Sequence, residues 1–249
     1  MSKHWKTLFV IAVLLLALLA CSVGVPTISG IKGSGILKTE TRPVSNFQAV
    51  VLSGIGDLQI TQGQQESLEI EAEDNILEVI ETRVENGTLY IGFRDGVVNI
   101  QPTKTIKYTL SVKDLTGLTS SGVGNIQVGD LKTSDLDVQI SGVGSIKIAS
   151  LEASSVAILI SGTGSSEVGG GKADKLKLES SGAGSFRAPD VQFAVADVSI
   201  SGVGSARLWV TERLDVALSG TGSVEYYGSP VVTQLVTGLG SIKSLGDHP

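Results

Sequence analysis

The chain carries a single cysteine, Cys21, and its position alone implies a covalent chemistry. Lys3 and Lys6 precede an apolar run of 13 residues, Leu8 to Ala20, which closes on Leu18-Leu19-Ala20-Cys21. Such a run is short for a bilayer span and has the length of a secretory signal. The closing residues resemble a lipobox, in which the Cys sulfur is diacylated and the chain is cut before it. The pattern predicts a signal peptide over residues 1–20 and a lipid anchor on Cys21. The alternative is an ordinary signal peptide that ends near a Cys. With one Cys, no internal disulfide and no Cys-based metal site can form.

Other reactive side chains lack partners. A Ser/His/Asp triad needs a histidine. The two present are His4, in the segment expected to be removed, and His248, in a C-terminal tail expected to fray. The repeated serines therefore read as structural residues, not nucleophiles. A calcium-binding β-roll needs Asp where this chain repeats Ser, with Asp57 and Asn125 the exceptions. No metal and no cofactor is implied. The Gly-x-Gly pairs precede strand-like sequence, whereas a phosphate loop needs a helix there. Glycan cleavage on a β-helix would need carboxylates clustered on one face. Asp137, Asp197 and Asp215 could share an outward column, but Ala157, Lys177 and Thr233 stand among them, as on a mixed solvated face. Trp209 and Tyr227 fall at matching places in adjacent repeats, with their rings expected outward. Paired exposed aromatics can stack on a sugar ring or anchor a protein. The alternative is a corner where both rings pack on return-loop residues.

A strict repeat must position these side chains. Ser121-Gly-Val-Gly-Asn125 is followed at steps of twenty residues by Ser141-Gly-Val-Gly-Ser145, Ser161-Gly-Thr-Gly-Ser165, Ser181-Gly-Ala-Gly-Ser185 and Ser201-Gly-Val-Gly-Ser205. Ser219-Gly-Thr-Gly-Ser223 and Thr237-Gly-Leu-Gly-Ser241 follow at steps of eighteen. An early copy, Ser53-Gly-Ile-Gly-Asp57, stands apart. A fixed period of this size is the mark of a solenoid. Apolar residues alternate before each motif (Leu136, Val138, Ile140) and after it (Ile146, Ile148), which is strand periodicity. The chain is therefore read as all-β: a right-handed parallel β-helix with about 18–20 residues per coil. Seven coils from Ser121 onward predict a rod of roughly 34 Å.

Each coil is expected to hold a strand, a glycine turn, a short strand and a return corner. Gly142, Gly144, Gly162, Gly164, Gly182, Gly184, Gly202, Gly204, Gly220 and Gly222 are assigned to the turns, for positive φ or close backbone approach. The residue between each pair of glycines is expected to face inward, and the flanking serines to form hydroxyl ladders. Lys147, Glu167, Arg187, Arg207, Glu225 and Lys243 are expected to form one solvent-facing column of charge.

Residues 21–37 read as lipid anchor and flexible tether, 38–245 as the domain and 246–249 as a tail. Residues 38–120 are less regular: short strands, a helix or turn near Asp74–Glu81 and a hairpin turn at Asn86-Gly87. They are expected to begin the solenoid with longer coils and to cap it. Without residues 1–20 the charge balance is 17 basic against 25 acidic residues, or −8. That excess argues against nucleic acid and anionic lipid as partners.

The tandem SGxGS motifs, the opening Phe47-Gln-Ala-Val and the close Gly222-Ser-Val-Glu-Tyr-Tyr-Gly-Ser-Pro230 resemble the putative auto-transporter adhesin head GIN domain family. The resemblance runs over residues 38–245. It implies a single β-helical domain in a secreted or lipid-anchored envelope protein, and no catalytic residues carry over. The expected role is non-catalytic adhesion to a glycan or protein ligand, with membrane attachment through the anchor. The alternatives are an envelope scaffold and, third, a polysaccharide-cleaving enzyme. Ser22 carries no Asp-type retention signal, so the outer membrane is the expected destination in a cell with two membranes.

Overall fold

The computed structural model describes residues 30–249; Cys21, the signal segment and residues 22–29 lie outside the described residues. The chain forms β1 (Ile31–Lys32), β2 (Leu37–Arg42), β3 (Ala49–Leu52), β4 (Asp57–Gln62), β5 (Ser67–Glu73), a single helical turn α1 (Asp74–Leu77), β6 (Ile80–Glu85), β7 (Thr88–Phe93), β8 (Ile100–Gln101) and β9 (Lys107–Val112). The repetitive part follows as β10 (Gly117–Ser120), β11 (Ile126–Lys132), β12 (Asp135–Ile140), β13 (Val143–Ile160), β14 (Thr163–Val168), β15 (Gly171–Ser180), β16 (Ala183–Ile200), β17 (Val203–Leu218), β18 (Thr221–Tyr227), β19 (Val231–Val236) and β20 (Leu239–Ser244).

Alternation makes these strands and stacking stabilises them. On one face Val50, Leu118, Val138, Ile158, Leu178, Val198 and Val216 lie in successive parallel register, every one buried. On the next face the column runs Leu58, Ile126, Ile146, Ser166, Phe186, Ala206 and Val224. Each aliphatic side chain buried this way contributes about 1.5–3 kcal/mol. Phe186 fits because the small Ser166 and Ala206 sit above and below it. The seven corners from Ser121 to Thr237 enclose about six turns. The early corner joins them: Leu52 pairs with Ser120, Ile55 with Val123 and Leu58 with Ile126.

The expected return corner is a third strand face. β13, β16 and β17 run unbroken around it. It supplies its own inward column, Ala153, Ala173, Phe193 and Val210. The step from twenty to eighteen residues is made here. Ala188 pairs with Leu208, but the next match is Gln192 with Trp209, so Pro189, Asp190 and Val191 have no counterpart; Ala194 then stands opposite both Thr211 and Glu212, which restores one residue and leaves a net loss of two.

At the glycine corners the coils touch backbone to backbone. A Cβ on Gly162 would collide with the carbonyl oxygen of Gly142, and one on Gly164 with that of Gly144. Gly144 also has φ +150°, a conformation costly for other residues. The residue between the glycines does not face inward as expected. Val123, Val143, Val203 and Leu239 are 52%, 54%, 62% and 80% exposed. Ile140 and Ile146 already fill the interior on either side of such a corner. With the glycine backbones pressed on the coil before, the apex side chain has only solvent to enter. The serine columns are aligned. Among the described residues, side-chain hydrogen bonding along the second of them runs from the Ser145 hydroxyl to Asn125 Oδ1 (2.7 Å) and from the Asn125 N–H to Asp57 Oδ1 (3.0 Å).

The N-terminal end is closed by antiparallel strands. β5 pairs with β9, β2 with β5 and β6 with β7. Asn86 and Gly87 turn the β6–β7 hairpin with φ 50° and 76°, as a two-residue turn of this type requires. Ile31 and Lys32, within the expected tether, pair with Ile100 and Gln101. This segment is fastened by Glu73, which is only 1% exposed. Its carboxylate accepts hydrogen bonds from the Gly35 N–H (2.6 Å), the Thr103 N–H (2.8 Å), the Thr103 hydroxyl (2.6 Å) and the Lys104 N–H (3.3 Å). Burial works to raise the Glu73 pKa, but these bonds together outweigh it and hold the carboxyl below its ordinary 4.5.

Gly162→Ala and Ser166→Ala should move stability in opposite directions. The first forces two coils apart and should cost about 3 kcal/mol. The second removes a buried hydroxyl that has no hydrogen-bond partner among the described residues and should be neutral or stabilise by about 1 kcal/mol. Chemical unfolding midpoints read both, and equal midpoints for the two variants would contradict the packing described. A group with a depressed folded pKa stabilises above its ordinary pKa and loses that contribution as pH falls through the folded value. Protection factors of the Gly35, Thr103 and Lys104 amides, which correct for the intrinsic pH dependence of exchange, should therefore be high near neutrality and fall only below pH 4.5. In Glu73→Gln they should be low at every pH.

Candidate functional site

The third face carries an outward column that changes character along the rod. Lys132, Glu152, Lys172, Gln192, Trp209 and Tyr227 follow one another in register, one per coil. The charged end is a broad shallow groove lined by Gln62, Lys113, Lys132, Glu152, Lys172 and Asp174 among others. Gln62 ties its floor together: its amide donates to the carbonyls of Lys113 (3.1 Å) and Lys132 (3.0 Å) and accepts from the Lys132 N–H (2.9 Å). Lys132 pairs with Glu152 at 2.9 Å, and that hydrogen bond and charge draw the Glu152 carboxyl below its usual range.

The aromatic end is set by the coil shortening. With Pro189–Val191 unmatched, the chain of the next coil passes directly from Leu208, buried, to Trp209 on the outside. Trp209 and Tyr227 are then register partners. Both rings are half-buried, because the C-terminal tail folds over them. His248, expected to fray, stacks on Trp209 with ring centroids 4.1 Å apart and planes 18° from parallel. It meets the edge of Tyr227 at 5.6 Å. Its Nε2 lies 3.2 Å from Asp190 Oδ1, in the unmatched segment. The Leu245 N–H donates to the Tyr226 carbonyl (2.8 Å), and the Gly228 N–H to that of Gly246 (2.9 Å). Trp209 and Tyr227 thus come together as expected, but their packing partner is the tail. Asp190 belongs to no motif in the sequence, and His248 is held where a frayed tail was expected; the change of period between 201 and 219 is the one sequence signal near them.

Asp137, Ala157, Lys177, Asp197, Asp215 and Thr233 do form one column. Its members are engaged: Asp137 accepts from Gln139 at 3.2 Å, Asp215 pairs with Arg213 at 3.0 Å and Lys177 pairs with Glu179 at 2.8 Å. Glu179, with a smaller contribution from Asp197, raises the Lys177 pKa. The shallow cleft beside Asp137 is lined by Ala157, Lys177 and Glu179, and neither Asp197 nor Asp215 reaches it. The charge column from Lys147 to Lys243 also lies in register. It neutralises itself in part, Lys147 with Glu167 at 3.1 Å and Arg207 with Glu225 at 2.8 Å. Among the described residues no three His, Cys, Asp or Glu side chains are grouped to hold a metal ion, and no helix is long and apolar enough to cross a membrane.

The family model for the putative auto-transporter adhesin, head GIN domain, matches residues 46–230. No curated protein matches the chain. Among solved structures, a putative adhesin from Bacteroides fragilis is 30% identical with a TM-score of 0.82, covering 87% of this chain and 100% of its own. A putative lipid binding protein from Parabacteroides distasonis is 23% identical with a TM-score of 0.71, over 87% of this chain and 100% of its own. A putative adhesin from Parabacteroides merdae is 20% identical with a TM-score of 0.67, over 87% and 99%. The last two share the fold.

Proposed function

Because the chain belongs to the head GIN domain family of putative auto-transporter adhesins, we propose that it is a non-catalytic lipoprotein of the cell envelope whose solenoid presents its third face to a glycan. The observation that carries this reading is the register pairing of Trp209 with Tyr227 at the end of a polar column. Tyr108, Phe186 and Phe193 are buried core, and Tyr226, next to Tyr227 in the chain, is half-buried against it. An outward aromatic pair offers apolar ring faces, and the neighbouring Gln192, Lys172 and Glu152 offer donors and acceptors for hydroxyl groups. Flat aromatic surface flanked by hydrogen-bonding side chains is the chemistry that holds a sugar ring.

The arrangement of the ends supports display from a membrane. Cys21 is the proposed anchor, and eight residues, 22–29, separate it from Gly30. Fully extended they reach at most about 28 Å. β1 is fastened near the capped end, so that end faces the membrane. The aromatic corner lies on the coils nearest the opposite end, away from the lipid.

Two measurements check this reading. Trp209→Ala and Tyr227→Ala, alone or together, should lower affinity for a glycan selected from an array by tenfold or more, as loss of a stacking platform does, with the unfolding midpoint shifted little. Unchanged binding by the double variant removes the aromatic site. Cys21→Ala should abolish incorporation of a labelled fatty acid and move the protein from the membrane fraction to the soluble one; a variant still labelled would contradict the anchor.

A further inference from the structure

The contact between the tail and the aromatic pair is built differently from the rest of the domain. Up to Gly246 the chain is held by backbone hydrogen bonds to Tyr226 and Gly228. Gly246 then takes φ +88°, a swivel that suits glycine. Beyond it Asp247 and Pro249 are exposed, and His248 alone is tied down, with its side chain 20% exposed. Its partner Asp190 is 61% exposed and makes no other side-chain hydrogen bond among the described residues. The imidazole therefore lies flat on Trp209 with one nitrogen at a carboxylate. That is the placement a saccharide ring takes, with an apolar face on the indole and a hydroxyl donating to an acid.

We propose that residues 247–249 are a displaceable strap over a saccharide-ring site formed by Trp209, Tyr227 and Asp190, in which His248 occupies the place of the ring until a glycan removes it. This rests on the glycan-binding reading above and adds to it the hydroxyl-binding carboxylate and the closure. Two features make the strap releasable. A surface His–Asp pair and one stacked ring together bias closure by only roughly tenfold. No aliphatic side chain of the segment is buried with them. Closure lowers the apparent affinity by the fraction of open molecules, so the tail sets a threshold for engagement. The unmatched Pro189–Val191 segment then has a purpose. It brings Asp190 beside Trp209, where a coil of constant length would run past it.

The test uses the full chain. Apart from Trp5, in the segment expected to be removed, Trp209 is the only tryptophan, so a Trp5→Phe background makes its fluorescence a direct reporter. The probes are soluble neutral hexose oligosaccharides, titrated into wild type, His248→Ala, Asp190→Asn and Trp209→Phe. His248→Ala should expose Trp209 to acrylamide quenching, and the oligosaccharide should restore protection while binding about tenfold more tightly than to wild type. Asp190→Asn should also free the strap yet bind the sugar more weakly than His248→Ala. If the sugar binds wild type and needs Trp209, but His248→Ala leaves affinity unchanged or weaker, the strap is overturned and the site stands. If neither wild type nor His248→Ala responds to any oligosaccharide, or Trp209→Phe binds as wild type by calorimetry, the saccharide site itself falls and the strap with it.

Discussion

The close approach of successive backbones at the Gly-x-Gly corners is the contact on which the rest of the molecule depends. With a Cβ at Gly162 or Gly164 in collision with the preceding coil's carbonyl oxygens, the corner admits only glycine at the spacing that parallel strands require. That spacing in turn keeps Val138, Ile158, Leu178 and Val198 in one unbroken interior column. A solenoid has little core within one coil, so its stability resides in the interfaces between neighbours. Whatever fixes the interval between coils fixes the burial of every aliphatic residue.

A constant interval also explains how the surface acquires its pattern. Equivalent positions line up, so a single residue type repeated in sequence becomes a stripe in space. The stripes from Lys147 to Lys243 and from Asp137 to Thr233 are made this way; the first is ion-paired in part along its own length, and Lys177 and Asp215 of the second pair with Glu179 and Arg213 outside it. The third face departs from uniformity because the coil length changes there. Removing residues between Ala188 and Gln192 from the next coil leaves Asp190 projecting and turns Trp209 out beside it. A defect in the period thus sets side chains of mixed chemistry beside one another on an otherwise regular rod. The proposed binding site follows the irregularity, whereas stability follows the repeat.

The two ends are managed differently. At the N-terminal end β2, β5 and β6 run antiparallel to their neighbours and turn the stacking direction back on itself. Glu73 fastens the leading segment with a carboxylate that is buried yet fully hydrogen-bonded, the arrangement in which burial of a charge is tolerated. At the other end Gln234 takes the interior position held by Val216 in the coil before, a polar residue where the column meets water.

The sequence by itself determined the period, the alternation, the glycine corners, the register of the charge stripes and the pairing of Trp209 with Tyr227. These are local or strictly repeating features, and a repeat fixes neighbours once one step is known. The family and the all-β class follow from the same residues. Tertiary structure alone decided what no period encodes. Val143 points outward because Ile140 and Ile146 leave no interior volume for it. The return corner is strand because the coils before and after supply it with partners. Glu73 becomes a clamp only when Gly35 and Thr103, thirty or more residues away, arrive beside it. His248 and Asp190 are 58 positions apart, and nothing between them in sequence predicts that a tail will cross the aromatic corner. Contacts of that kind depend on where the rod ends and which ring is left uncovered, and those are settled by packing in three dimensions.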